Sequence, residues 1–72
     1  MNVLGVVDAF DDRRGDGAVR SDEGERFYFH CVSVTDGTRH VEVGARVRAT
    51  RRAGLLGHDE VVGVEKLDRP RP

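Results

Sequence analysis

Apolar residues along this chain fall in short runs, often alternating with polar ones, and glycine-bearing turns separate the runs. The clearest run is Arg26-Phe27-Tyr28-Phe29-His30-Cys31. Its period of two places Phe27, Phe29 and Cys31 on one face and Tyr28 and His30 on the other. The Phe27/Phe29 face is the better core candidate. Val3 to Phe10 is rich in β-branched residues and predicts a first strand, with Gly5 marking a bend or a close backbone approach. A polar turn, Asp11 to Gly15, leads into a second strand whose one strongly apolar side chain is Val19, and Ser21 to Glu25 reads as the next turn. Val32 to Val34 suits a short helical turn, followed by a loop at Thr35 to Thr38, and His40 to Gly44 leads into a fourth strand, Ala45 to Arg52. There Val47 and Ala49 alternate with Arg46, Arg48 and Thr50. Ala53 to Gly57 predicts a hairpin connection with Leu55-Leu56 at its tip, as a barrel cap or a protein contact point. His58 to Leu67 predicts a fifth strand with Val62 and Val64 on one face.

No segment sustains a helical period. Five short strands with glycine-bearing turns predict an all-β barrel or sandwich, and closing the sheet would remove the edges that endanger a small β protein. At 72 residues the chain predicts one domain over residues 1–67 and a charged, proline-bearing tail over 68–72 that frays. A chain this short buries a small core. Its single cysteine, Cys31, excludes an internal disulfide and reads as a small buried hydrophobe. With no signal pattern or membrane-length apolar run, the expected setting is cytoplasmic, without a membrane partner.

Charge is abundant and nearly balanced, with 12 Lys plus Arg against 13 Asp plus Glu, and Lys66 is the only lysine. The arginine bias suits planar recognition of phosphate or carboxylate, and GC-rich coding produces it equally well. Acids interleave the cluster Arg13, Arg14 and Arg20, whereas Arg46, Arg48, Arg51 and Arg52 run without local interruption and read as the better basic patch. Asp8, Asp11, Asp12 and Asp16 gather around one turn. Carboxylates suit hard cations, but the spacing is not that of a calcium loop, and a polar turn is the commoner use. His30, His40 and His58 with one cysteine offer no zinc spacing. No nucleophile–base pair is recognisable, so neither an enzyme nor a metal or other cofactor is expected.

The order Gly5-Val6-Val7, Phe10, Gly15-x-Gly17-x-Val19, Phe27-Tyr28-Phe29-His30 and Gly44-x-x-Val47 resembles a cold-shock domain over roughly Val3 to Leu67. The match is most specific in the first three strands and looser after Gly57. The resemblance implies a five-stranded closed or partly open barrel of the oligonucleotide/oligosaccharide-binding (OB) type and binding of single-stranded RNA or DNA. The family's first ribonucleoprotein-type motif usually reads Lys-Gly-Phe-Gly-Phe-Ile, and here it is Arg14-Gly15-Asp16-Gly17-Ala18-Val19. The second usually reads Val-Phe-Val-His-Phe, and here it is Phe27-Tyr28-Phe29-His30-Cys31. The family's first strand carries Lys-Trp-Phe where this chain has Asp8-Ala9-Phe10.

Core-facing positions and glycines are thus kept, while most ligand-facing ones are not. Ala9, Asp16, Ala18 and Cys31 stand where the family has rings, and Asp8 reverses a lysine's charge. Stacking contributes roughly 1–3 kcal/mol per base, so four lost rings cost on the order of 4–12 kcal/mol if their effects add, which neighbours rarely do. Binding, if retained, is therefore expected to be weak or re-aimed, through Phe10, Arg13, Tyr28, His30 and Arg48. The alternative is a protein-interaction module that keeps the barrel and has lost the nucleic acid.

Overall fold

The structure, a computed structural model, describes residues 2–53 and 59–67. The expected Leu55-Leu56 hairpin tip, His58 and the tail at 68–72 lie outside the described residues. The strands are β1 (Asn2–Asp11), β2 (Asp16–Ser21), β3 (Arg26–His30), β4 (Arg46–Ala53) and β5 (Asp59–Lys66), with a 3-10 turn at Cys31–Ser33 between β3 and β4. They form a closed barrel in the order β1-β2-β3-β5-β4, an OB-fold-like small barrel. All neighbouring pairs are antiparallel except β3 with β5, where Tyr28 lies opposite Glu60 in parallel.

Closure depends on β1, which pairs with β2 and β4 at once: Gly5 lies opposite Ser21 on one side and Val47 on the other. A Cβ at Gly5 would drive into the Arg20 carbonyl group, so glycine is required there by close backbone approach. Further along, Val7 faces Val19 while Ala9 faces Ala18, which leaves Asp8 as an extra residue in β1. One inserted residue reverses the facing of everything after it. Val3 and Val7 therefore point into the core, Ala9 turns outward, and Phe10 turns back against the core to stack on Phe29 at a centroid distance of 6.0 Å. Sequence alternation gave no sign of this reversal.

The core joins Val3, Val7, Val19, Phe27, Phe29, Val47 and Ala49 to Val34 and Val41 from the β3–β4 connection. That connection is tied across the barrel end. Thr35 N–H donates to the Val64 carbonyl at 2.8 Å, and Gly44 N–H donates to the Val7 carbonyl at 2.8 Å. Cys31 is buried as expected, though in the 3-10 turn rather than in β3. The expected pairing of Val62 with Val64 on one face is corrected: Val61 and Val64 are the buried pair. Thr50 lies opposite Val62 and Arg48 opposite Glu65, so β5 carries an additional residue between these pairs. Gly63, at φ +59°, lies within that irregular segment in a backbone conformation that costs glycine little.

Phe29→Ala should cost about 3–5 kcal/mol in urea unfolding, as expected for removing a buried ring. Gly5→Ala should cost about 1–3 kcal/mol or more through backbone overlap alone. Val61→Ala should destabilise more than Val62→Ala, and the reverse ranking would contradict the bulged register of β5.

Candidate nucleic-acid interface

The outward face of β2 and β3 is built from directly opposed pairs: Asp16 with His30, Ala18 with Tyr28, and Arg20 with Arg26. Ala9 joins it beside Ala18 because of the bulge at Asp8. Together these elements surround an open depression of about 590 Å³, whose lining includes Ala9, Ala18, Phe10, Tyr28, His30 and Glu60. Two alanines provide small side chains where longer ones would occupy the space. Ala18, expected to face ligand openly, is only 2% exposed although it lies on the outward side. Tyr28 is 56% exposed.

Three of the expected site residues, Phe10, Tyr28 and His30, therefore share one depression. Phe10 contributes less open surface than its position in the resemblance implies, because Phe29 stacks on it and the His40 ring meets it edge-on at 5.7 Å. His30 is oriented by the 3-10 turn: the Val32 N–H donates to His30 Nδ1 at 3.2 Å. A neutral imidazole accepting at Nδ1 carries its proton on Nε2, so His30 can present both a ring face and an N–H donor.

Arg13 and Arg48 do not line the depression. Arg13 lies exposed in the β1–β2 turn, where its backbone N–H donates to Asp11 Oδ1 at 2.9 Å. Arg48 lies on β4 beside Leu4, Asp22 and Phe27, in a separate depression. Nor do the β4 arginines form an uncompensated basic patch. Arg46 pairs with Asp22, Arg48 with Glu65, Arg51 with Asp59 and Arg52 with Glu60. Three of these acids come from β5, the cross-strand neighbour, which local charge spacing along β4 could not reveal. The four turn carboxylates are also dispersed. Asp8 pairs with Arg20 and Arg26, Asp12 with His40 and Asp16 with Arg14, while Asp11 accepts backbone N–H groups of Arg13 and Arg14. Among the described residues, no group of three or more His, Cys, Asp or Glu is placed to hold a metal ion.

The depression is lined by Asp11, Asp16 and Glu60 against Arg14 and Arg26, so its fixed charge is close to balanced. Such a surface offers ring faces and hydrogen-bonding groups but little long-range attraction for a polyanion. Sequence reasoning missed Arg26 and Glu60 as parts of the site. The outward parity of Arg26 with Tyr28 was available as a signal. Glu60 arrives only through the parallel β3–β5 closure.

Two carboxylates away from the depression have depressed pKa values. Asp22 is held below the ordinary carboxylate range chiefly by its side-chain hydrogen bond from Arg46, against opposing desolvation. Asp36 is lowered first by the Thr38 backbone N–H, then by the Thr38 hydroxyl, with Lys66 adding a smaller effect. A depressed folded-state pKa adds stability above the unfolded value and loses it as pH falls through the folded value. Arg46→Gln should return the Asp22 titration, followed by carboxyl NMR, toward its ordinary value and remove part of the stability lost below about pH 4. An unchanged Asp22 titration would refute the assigned cause.

Comparison of the chain with models of known protein families and with curated proteins finds no match.

Proposed function

We propose that this barrel is a cold-shock-like binding protein, not an enzyme, that takes single-stranded nucleic acid weakly on the outward face of β1, β2 and β3. The observation that carries the reading is the placement of Tyr28 and His30 at alternate positions of β3, beside a depression floored by Ala9 and Ala18. Every base has a π-face, so an exposed ring beside an open depression supports binding that tolerates sequence. Phe10 contributes its edge, and the charged rim contributes local hydrogen bonds. The β4 arginines, including Arg48, are engaged with carboxylates and lie away from the depression, so they supply little of the contact. A cytoplasmic setting belongs to the same proposal and is supported by the free thiol of Cys31.

The second reading, a protein-interaction module, is favoured by one observation. Each β4 arginine is already matched by an acid, which lowers the attraction for a phosphate chain. A partner protein would instead use the exposed Tyr28 and Val32.

Titration of a fluorescent pyrimidine-rich single strand at low and physiological salt separates the two. Nucleic-acid binding predicts weak, salt-dependent affinity that falls in Tyr28→Ala and His30→Ala, each lost stack costing roughly 1–3 kcal/mol. Ala9→Trp, which places a ring on the outward side of the bulge, should tighten binding about tenfold. Absence of binding at low salt, in the natural protein and in Ala9→Trp alike, would overturn the proposal and leave the protein-module reading.

A further inference from the structure

Arg20 and Arg26 lie directly opposite each other on β2 and β3. Like charges in that position destabilise an antiparallel pair, so two guanidinium groups there need a counter-charge. Asp8 supplies it from the β1 bulge. Arg26 Nε donates to Asp8 Oδ1 at 3.1 Å and to Oδ2 at 3.0 Å, and Arg20 Nε lies 3.4 Å from the same Oδ2. The Asp8 side chain is 23% exposed, whereas the two arginines are 57% and 48% exposed.

Two features distinguish this cluster. Both guanidinium groups meet Asp8 through Nε, and their terminal amino groups make no hydrogen bond to a described residue. Arg14–Asp16, Arg48–Glu65, Arg51–Asp59, Arg52–Glu60 and Lys66–Asp36 each set one cation against one carboxylate. Here two arginines share a single acid, which leaves a local surplus of one positive charge. Terminal amino groups held in a planar fork match the oxygens of a phosphate.

The cluster is also placed beside the rings. Arg26, Tyr28 and His30 occupy successive outward positions of β3, with Arg20, Ala18 and Asp16 opposite them. Two residues along a strand span about 7 Å, so the arginine pair sits one outward step from Tyr28. We infer that Arg20 and Arg26, braced by Asp8, form a subsite for a backbone phosphate of the strand whose base stacks on Tyr28. This rests on the proposed nucleic-acid reading, and it assigns the phosphate contact to β2 and β3 instead of the β4 arginines. Asp8 is a positioning residue here: it fixes the two forks and touches no ligand.

Two measurements test the subsite. The first follows affinity for the single strand against salt in the natural protein, Arg20→Gln, Arg26→Gln, Arg13→Gln, Arg48→Gln and Arg52→Gln. Removal of either β2–β3 arginine should weaken binding and reduce the salt slope by about 0.7, while Arg13, Arg48 and Arg52 variants should leave the slope unchanged. The second titrates inorganic pyrophosphate into the unmutated protein and follows the arginine Nε–Hε resonances. Saturable shifts confined to Arg20 and Arg26 are expected. If the strand binds but the slope loss falls on Arg13 or the β4 arginines, the subsite is wrong and the proposed function stands. If the strand does not bind yet pyrophosphate shifts both arginines, the oxyanion subsite stands and the nucleic-acid reading falls. If neither ligand binds, both fall.

Discussion

The barrel depends on β1, the longest described strand, which pairs with β4 from Asn2 to Val6 and with β2 from Gly5 to Asp11. Two local features make that possible. At Gly5 the backbone of β2 comes so close that no side chain fits. At Asp8 an extra residue interrupts the ladder and increases the local twist. The second feature has consequences well beyond geometry. By reversing parity it sends Phe10 against Phe29 and turns Ala9 outward beside Ala18. Gly17 is required beside it, since a Cβ there would drive into the Ala9 carbonyl oxygen and also crowd the Phe10 and Phe29 rings. A single inserted residue thus shapes the floor of the depression and supplies the carboxylate at its edge.

What fills the closed sheet is modest. The largest side chains in its fully buried centre are valines, with Phe27 and Phe29 almost as completely covered. A barrel this narrow has little room for larger groups, and its apolar burial is correspondingly limited. The β3–β4 connection adds Val34 and Val41, so it closes the core at one end and does more than link two strands. The many surface ion pairs contribute little to stability individually, because exposed pairs are worth about 0–1 kcal/mol. Their main effect is on the charge pattern, which they flatten almost everywhere.

Much of the fold was legible because it follows local rules. Alternation in Arg26 to His30 separated Phe27 and Phe29 from Tyr28 correctly, and the turns expected at Asp11 to Gly15 and Ser21 to Glu25 fall between strands, with Asp11 and Ser21 themselves ending β1 and β2. The failures share one cause, dependence on residues distant in sequence. Val61 replaced Val62 in the core because the β4–β5 ladder carries an irregularity that strict alternation along β5 does not reveal. The β4 arginines looked free because Asp59, Glu60 and Glu65 lie on the next strand in space. Of the expected site residues, Phe10, Tyr28 and His30 meet in one depression because parity and the bulge bring them there. Arg13 and Arg48 do not, since their positions depend on a turn and a strand outside that face.

On the proposed reading, the balance of forces at the site also accounts for its asymmetry. A depression with few rings loses stacking energy, and a near-neutral rim loses the steering that a basic groove would provide. Weak binding then requires its remaining contacts to act together on one short stretch of ligand. The outward row of β3 provides that arrangement: a ring at Tyr28, a ring with an N–H donor at His30, and a guanidinium at Arg26. Asp8 limits and organises this row at once. Its carboxylate lowers the local positive charge, yet without it two directly opposed arginines would repel each other and their forks would lose a common orientation. The acid that reverses the charge expected from the cold-shock resemblance is therefore the group that allows two arginines to stand together beside the rings.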